Sequence, residues 1–395
     1  MPFAVYVLGL AVFAQGTSEF MLSGLISDIA TDLNVSLAAA GLLTSAFAVG
    51  MVIGAPLMAL FGRTWPRRRA LLLFLSVFVA VHVLGALTPS YGVLLATRFA
   101  GAVANAGFWA VALTTASALV PEQLRARATA VVVGGVTVAC VVGVPAGAVL
   151  GERWGWRSAF WAVALVSVPA VLAVVRSIPA GRPGAEPVPV RTELRALTRP
   201  RLRRTLLTMA LVQGATFCTF SYLEPLLTRE TGLSAGWVPA ALALFGVGSF
   251  LGVTVAGRFA GLRPTALIAS GMAALTLGWS ALALTAGSAP VALALILVQG
   301  AFAFGTGTAL IARVLGLAPG APTLAGAFCT AAFNLGATLG PWAGGLALDA
   351  GCGYRAPAWV SGALMACALI AAGAARRVRV RARMRMRMRG KKSMY

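Results

Sequence analysis

The sequence carries one pattern twice, in Gly147-Ala-Val-Leu-Gly-Glu-Arg-Trp-Gly-Trp-Arg157 and again in Gly345-Leu-Ala-Leu-Asp-Ala-Gly-Cys-Gly-Tyr-Arg355. The offset between the two stretches is 198 residues. Two glycines, one leucine and the final arginine of each stretch coincide at this offset. An aromatic residue precedes the arginine in each copy. This repeat predicts a chain made of two halves that are built alike.

The composition excludes a water-soluble protein. Of the 395 residues, 59% are hydrophobic and 11% are charged, and the mean hydropathy is +0.89. A soluble globular domain carries about 25% charged residues, so this chain cannot cover a surface in water and must present apolar side chains to lipid. These numbers exclude a soluble enzyme, a disulfide scaffold and a nucleic-acid-binding domain.

Twelve apolar runs are separated by charged residues, proline or glycine. Lipid cannot satisfy exposed backbone groups, and no alternating barrel pattern is present, so each run is predicted to be a helix. The predicted fold is all-α integral membrane, with twelve transmembrane helices in two six-helix bundles. The predicted spans are 3–25, 38–61, 70–88, 92–118, 128–150, 157–177, 205–227, 236–257, 265–286, 290–312, 322–346 and 356–375.

A basic, proline-rich stretch near the middle of the chain predicts the boundary between the halves. The predicted units are an N-terminal six-helix bundle (1–177), a cytoplasmic basic linker (178–204), a C-terminal six-helix bundle (205–375) and a basic cytoplasmic tail (376–395). We interpret the tail as a solvated topology anchor near anionic lipid, with no nucleic acid as partner.

Charge asymmetry predicts the orientation. Of the 32 basic residues, 27 fall on one side of the predicted membrane and four in the loops of the other side. The positive-inside rule therefore places both termini in the cytoplasm and the protein in the cytoplasmic membrane.

Six spans repeated as six spans favour a transporter that rocks two bundles about a central site. A membrane-embedded enzyme would need a nucleophile with a base, or a metal site. The chain has one histidine, His82, for which we expect a structural role, and no HExxH. A lipid-interacting scaffold would not need the duplication. No metal, cofactor or nucleotide-binding loop is predicted, so an ion gradient is the expected energy source.

Several motifs resemble those of the major facilitator superfamily. Gly143-Val-Pro-Ala-Gly147 resembles the antiporter motif of its drug exporters, and Arg98-Phe-Ala-Gly101 resembles its fourth-span arginine motif. Thr17-Ser-Glu19-Phe20, followed by Gly24-Leu25, is similar to the first-span signature of the twelve-helix drug:proton antiporters, and Gly155-Trp-Arg157 also fits. The whole chain fits this pattern, and within that branch it is most similar to actinomycete chloramphenicol-resistance exporters.

The loop from Gly62 to Arg69 resembles the superfamily's motif between spans 2 and 3, but it departs in two ways. The usual acidic residue is missing, and Pro66 stands where glycine is expected. These departures argue against the usual charge relay in that loop.

Glu19 and Arg98 are the predicted proton-coupling residues. Glu19 is the only carboxylate well inside a predicted span, and Arg98 is the only basic residue inside one. A carboxyl whose surroundings alternate between wet and dry suits a proton carrier. The resemblance implies that Arg98 couples protonation to conformational change. The alternatives are a structural carboxylate and a helix-packing clamp.

A set of polar and aromatic residues is predicted to bind substrate. Gln15, Glu19, Ser23 and Ser27 recur every four residues and would share one helix face, and a second stripe runs along span 7. Glu224, at the end of that stripe, is interpreted as a residue of the wet outer end and as the next proton candidate. The predicted substrate-binding residues are Gln15, Ser23, Asn105, Trp109, Gln213, Phe217, Phe220, Ser221 and Asn334.

Gly143, Pro145 and Gly147 are assigned a conformational role, since such residues bend a span or allow close helix approach. Taken together, the sequence predicts a monomer that extrudes a small amphipathic antibiotic, most directly chloramphenicol, in exchange for protons. The alternative is a sugar or nucleoside exporter of the same superfamily, for which more polar cavity residues would be expected.

Overall fold

The structure, a computed structural model, describes residues 1–61, 65–121, 124–178, 198–259, 264–318 and 324–370. Each of the twelve predicted runs is helical within these ranges. The helices are α1 (Phe3–Phe20), α2 (Ile26–Asp32), α3 (Leu37–Phe61), α4 (Arg67–Leu87), α5 (Tyr91–Ala118), α6 (Arg125–Val138), α7 (Val144–Trp154), α8 (Arg157–Ser177), α9 (Pro200–Phe220), α10 (Leu223–Glu230), α11 (Val238–Phe259), α12 (Pro264–Thr285), α13 (Ala289–Leu317), α14 (Leu324–Asp349) and α15 (Ala356–Ile370).

Nine of the described helices or helix combinations are long and apolar enough to cross a membrane. A tenth is obtained when α9 and α10, which meet at an angle of 48°, are taken as one bent span. α14 and α15 occupy the places of the predicted eleventh and twelfth spans, and α15 is followed as far as Ile370, where the described residues end. The all-helical membrane architecture is thus confirmed.

Several helix ends differ from the predicted limits. α9 begins at Pro200, five residues before the predicted start, because a proline fits the first turn of a helix, where no backbone N–H partner is needed. α13 continues to Leu317 and α14 to Asp349, both past the predicted ends. Most of the predicted linker and the whole predicted tail lie outside the described residues.

The helices pack as two sets, which meet along a seam. One set contains α1–α8 and the other α9–α15, and in each set some neighbouring helices belong to one predicted span. Two contacts dominate the seam: α3 against α14, and the segment leading into α7 against α11. We call the end of the bundle that carries Asp28, Asp32, Glu152, Glu230 and Asp349 the acidic end, and the opposite end the basic end.

The contacts across the seam lie towards the acidic end. Ser45 donates to the carbonyl of Thr338 at 2.7 Å, and the hydroxyl of Ser27 donates to Glu224. The backbone of Gly41 runs beside the phenol ring of Tyr222, where a β-carbon would lie 2.0 Å from the hydroxyl oxygen. The two halves are therefore closed against each other at the acidic end.

The first span of each half breaks within two residues of the same place in the repeat. α1 ends at Phe20 and continues as a 3₁₀ turn, Met21–Gly24, and α9 ends at Phe220 before the turn into α10. The predicted single helix over 3–25 is therefore wrong in its last turn. Asn34 and Gly232, one repeat apart, both have positive φ, at 51° and 74°. The duplication visible in the sequence extends to the local backbone.

The repeated arginines make equivalent ion pairs. Arg157 pairs with Asp32 and also donates to the carbonyl of Thr88 at 3.1 Å. Arg355 pairs with Glu230 at 2.6 Å and reaches the carbonyl of Leu284 at 3.5 Å. Each arginine thus ties the start of the last span of its half to the acidic ends of two others. Hydrogen bonds from Arg157 and Trp156 also hold the pKa of Asp32 below its usual value.

Glycines allow backbones to approach closely where helices cross. α11 and α13 meet at Gly248 and Gly252, where a β-carbon would lie 2.0 Å from the carbonyl oxygens of Leu297 and Ala301 respectively. Small residues at this four-residue spacing bring helices together in lipid, where no hydrophobic effect drives their association.

We expect Gly252→Ala to destabilise the protein, because the added methyl group meets a backbone carbonyl that cannot rotate away. Overpacking of this kind costs about 1–3 kcal/mol. Gly257→Ala is the matched control on the same helix, since nothing lies within 4 Å of a β-carbon there. The thermal midpoint in detergent should fall for Gly252→Ala alone, and equal midpoints would contradict this packing.

Candidate functional site

Glu19 lies in the last turn of α1, next to the break in the first span. Its side chain is partly exposed, and its carboxyl has no hydrogen bond or ion pair with another described residue. A carboxyl inside a membrane protein is costly unless it is solvated, paired or protonated. This placement leaves the Glu19 carboxyl without a hydrogen-bond partner among the described residues, with Arg98 attracting it only electrostatically.

Arg98 is fully buried on α5 and does not form an ion pair with Glu19. Its Nη1 donates to the hydroxyl of Ser18 at 2.8 Å and its Nη2 donates to the carbonyl of Ser18 at 2.9 Å. The guanidinium also lies 4.5 Å from the ring centroid of Phe47 on α3. Arg98 therefore joins α1, α3 and α5. Its partner on α1, Ser18, directly precedes Glu19 in the chain.

The predicted polar face of the first span is divided by the 3₁₀ turn. Gln15 is fully buried on α1, whereas Ser23 lies in the turn and donates to the carbonyl of Phe20 at 2.8 Å. Ser27 lies on α2 and contacts Glu224 of the other half. The single continuous face from Gln15 to Ser27 is therefore wrong, because the change of helix type redirects the side chains after Phe20.

Among the predicted substrate residues, Gln15 and Asn105 differ from the rest. Both are fully buried, and neither the oxygen nor the nitrogen of either side-chain amide has a partner among the described residues. Buried amides are nearly always hydrogen-bonded. Asn334, in contrast, donates to the carbonyl of Thr330 within its own helix.

The other predicted substrate residues differ in exposure. Trp109 and Gln213 are partly exposed, on α5 and α9 respectively, while Ser221 is buried at the end of α9.

An aromatic cluster spans the seam at the level of the break in α1. The ring of Phe20 lies 5.6 Å from that of Phe217, which lies 6.0 Å from Phe220. Phe220 in turn lies 4.5 Å from Phe245, which meets Phe304 at 6.1 Å. A narrow cleft is lined by Phe20, Cys140, Val144, Thr216, Phe217, Phe220, Phe245 and Phe304. The predicted pair Phe217 and Phe220 thus belongs to a larger aromatic group contributed by both halves.

The glycines of the predicted conformational motif bring the fifth span against the first. A π-helical turn, Ala139–Gly143, precedes α7, and Pro145 occupies the first turn of α7. A β-carbon on Gly143 would lie 2.0 Å from Oγ1 of Thr17, and one on Gly147 would lie 3.3 Å from Cβ of Met21. The motif therefore packs directly on the turns that bear Glu19.

Glu224 lies where the seventh span bends. Its carboxyl accepts from Ser27 across the seam and from Thr228 on its own helix at 3.3 Å. Its side chain is only partly exposed, so it forms part of the contact that closes the acidic end.

Sequence reasoning did not single out Ser18, Phe245 or Phe304. Ser18 is adjacent to Glu19, and its side chain points towards α4 and α5. Phe245 and Phe304 are single aromatic residues in apolar spans, so no pattern in the chain distinguishes them from lipid-facing ones. For Ser18 a signal did exist: a buried arginine needs acceptors, and a serine in a neighbouring apolar span can provide one.

Comparisons with known proteins agree with this architecture. The family model described as Major Facilitator Superfamily matches residues 8–320. The chain belongs to the major facilitator superfamily. It is therefore a membrane transporter of small molecules and not an enzyme.

Similar curated proteins cover nearly the whole chain. A "Chloramphenicol resistance protein" of Streptomyces lividans is 52% identical over 375 residues, covering 94% of this chain and 96% of that protein. "Inner membrane transport protein YdhP" of Escherichia coli strain K12 is 36% identical, covering 89% and 90%.

A solved structure has the same fold. It is a bacterial homologue of the human lysosomal transporter Spinster, in an inward-facing and occupied conformation. It aligns with a TM-score of 0.70 at 19% identity, covering 93% of this chain and 91% of the other.

We expect Arg98→Lys to yield a folded but less stable protein. A lysine keeps the charge but loses the planar fork that holds both acceptors of Ser18. The loss of one charged hydrogen bond costs about 1.5–3 kcal/mol. The matched control is Arg157→Lys, where the ion pair is partly exposed and worth at most about 1 kcal/mol. Equal thermal midpoints for the two variants would show that the fork of Arg98 is not needed.

Proposed function

We propose that this transporter exports a small amphipathic antibiotic, most directly chloramphenicol, from the cytoplasm in exchange for protons, and so confers resistance. The observation that carries the proposal is the adjacency of two features on α1. Glu19 provides an unpaired carboxyl, and Phe20, the next residue, belongs to the aromatic cleft at the seam. A change in protonation at Glu19 therefore occurs beside the surface that would hold the drug.

The chemistry of the cleft and of the buried amides suits chloramphenicol, but the cleft has a cavity volume of about 10 Å³ in this state and must widen to admit the drug. The drug is uncharged and combines an aromatic ring with hydroxyl, amide and nitro groups. The phenylalanine rings provide the apolar surface for the ring. Gln15 and Asn105 provide hydrogen-bond donors and acceptors that have no other protein partner. The relative from Streptomyces lividans, a chloramphenicol resistance protein, supports the same substrate.

The closed acidic end is consistent with one state of alternating access. With the basic end in the cytoplasm, as the distribution of arginine predicts, the contacts of Ser27 with Glu224 and of Ser45 with Thr338 seal the outer side. The site would then be reached from the cytoplasm, where the drug is collected. Opening of the outer side requires these contacts to separate. We propose that a single chain performs this cycle.

The membrane potential can drive such an exchange. Release of a neutral drug for entry of one proton moves one net charge, and 100 mV is worth about 2.3 kcal/mol per charge. Each unit of pH difference adds about 1.4 kcal/mol. The exchange needs a group that gains and loses a proton, and Glu19 is the carboxyl placed for this.

We expect cells that produce the protein to accumulate less labelled chloramphenicol than cells without it. A protonophore should abolish the difference, because it removes the driving force. Equal accumulation in both strains would reject chloramphenicol as the substrate. Labelled sugars and nucleosides tested in the same cells would then distinguish the alternative exporter.

Glu19→Gln should fold and bind drug but should not concentrate it outside, because glutamine resembles a protonated carboxyl and cannot release the proton. Its residual flux should be insensitive to the protonophore. Asp349→Asn, at the exposed acidic end, is the matched control and should extrude like the unmodified protein. If Glu19→Gln still extrudes drug against a gradient, and a protonophore abolishes that extrusion, Glu19 is not the proton carrier and Glu224 becomes the next candidate.

Reporter fusions test the orientation. A reporter that works only in the cytoplasm should be active when it is fused in the loop at 182–195 or after Tyr395. A tag at Asp32 should be reached from outside intact cells. A tag at Asp32 that is labelled only after permeabilisation would contradict this topology.

A further inference from the structure

His82 is buried on α4 and belongs to a chain of hydrogen bonds that ends at Arg98. Its Nδ1 lies 2.7 Å from the carbonyl oxygen of Phe78, and its Nε2 lies 2.6 Å from the hydroxyl oxygen of Ser18. The same hydroxyl accepts from Nη1 of Arg98 at 2.8 Å. The imidazole is held between the rings of Phe78, at 4.1 Å, and Phe160, at 5.9 Å.

The partners determine which nitrogen of His82 carries the hydrogen. A carbonyl oxygen can only accept, so Nδ1 must carry a hydrogen and donate to Phe78. Arg98 can only donate, so the oxygen of Ser18 accepts from it and the single hydrogen of that hydroxyl is available for another acceptor. The remaining acceptor within reach is the lone pair on Nε2 of His82. A neutral histidine with its hydrogen on Nδ1 satisfies both His82 and the hydroxyl of Ser18, whereas Nε of Arg98 has no partner among the described residues.

The other protonation states of His82 fit poorly. The opposite tautomer would place a lone pair of Nδ1 against the carbonyl oxygen of Phe78. An imidazolium would direct a second donor at the Ser18 oxygen, leave the serine hydrogen without its acceptor, and place a second buried cation beside Arg98. The geometry therefore specifies one proton arrangement from Phe78 to Arg98.

This arrangement determines where the guanidinium of Arg98 points. Two of its nitrogens are bound to the hydroxyl and carbonyl of Ser18, so the charge lies beside α1 and makes no ion pair with the neighbouring carboxyl of Glu19. In the membrane interior, the titratable side chains on the elements around this part of α1 are Arg98 on α5, His82 on α4 and Cys140 in the π-helical turn. Of these, Arg98 carries the permanent charge.

We infer that His82 is a positioning residue of the transport cycle: through Ser18 it holds Arg98 on α1, out of ion-pair contact with Glu19, while the acidic end is closed. Arg98 therefore attracts the Glu19 carboxyl only at longer range in this state. The inference rests on the proposed proton coupling at Glu19, but the hydrogen-bond chain itself can be tested without transport.

The direct test uses nitrogen-15-labelled histidine. His82 is the only histidine in the chain, so protein purified through a tag without histidine gives the nuclear magnetic resonance signals of one imidazole. We expect a protonated Nδ1 and an unprotonated Nε2, with the same signals across about pH 5 to 8, the interval in which a free histidine titrates. Ser18→Ala should move the Nε2 signal, whereas Ser167→Ala, a buried serine bonded only within α8, should not. A hydrogen on Nε2, or an imidazolium in this interval, would overturn the inference.

The functional test compares the pH dependence of drug extrusion among three variants. Ser18→Ala and His82→Leu should both release Arg98 to pair with Glu19. A cation in contact with a carboxyl favours the charged form by about 1–3 pH units, so the midpoint of the pH profile should shift by at least about one unit to acid. His82→Gln, whose amide oxygen can accept from Ser18, should retain the original midpoint.

The shift distinguishes positioning from a structural role, which would lower extrusion at every pH without moving the midpoint. If His82→Leu does not fold, Ser18→Ala, which removes a single oxygen atom, decides the matter. Folded variants with an unshifted midpoint would overturn the inference. If the unmodified protein moves no drug, the proposed function fails while the imidazole signals still test the hydrogen-bond chain.

Discussion

A permanent positive charge buried inside the first bundle constrains the arrangement of its helices. The guanidinium of Arg98 cannot lose its proton, and within lipid it must find acceptors on neighbouring spans. It finds them on Ser18, which is itself bonded to His82. Three spans, α1, α4 and α5, are consequently joined at one level of the membrane. The residue that follows Ser18 is Glu19, so satisfying the buried charge also fixes the register of the carboxyl proposed to carry protons.

The duplication explains why the two halves share more than a helix count. In each half an arginine at the start of the last span joins an acidic residue at the end of the first, and the Asp32–Arg157 and Glu230–Arg355 pairs are separated by the same number of residues. In each half the first span is also interrupted, after Phe20 and after Phe220, before the short helix that carries the acidic residue of the pair. The halves differ at one equivalent pair of positions in the membrane interior: Glu19 and Phe217 correspond in the repeat, so one half has a carboxyl where the other has an aromatic ring.

The sequence predicted the membrane class, the helix positions and the two-fold repeat, because apolar length and charge are properties of the chain itself. It also identified Glu19 and Arg98, since charges in apolar runs are conspicuous. It did not predict the break after Phe20, because residues 21–25 have no proline and no charge, and Ser23 is their one polar side chain. Nor did it predict the contacts of Ser18 with His82, or of Phe20 with Phe217. Those contacts join residues far apart in the chain, and their existence depends on how the spans rotate about their axes, which hydropathy does not determine.

Among the described residues, both ion pairs at the acidic end lie within a half, and neither crosses the seam. The seam itself is closed by hydrogen bonds to Thr338 and Glu224 and by the close fit of Gly41 on Tyr222. Dissolved ions screen exposed pairs of opposite charge over about 8–10 Å at moderate ionic strength. When the halves separate, the arginines keep their partners, so this screening acts almost equally on both states. The two ion pairs should therefore contribute almost no salt dependence to the balance between the open and closed states of the acidic end.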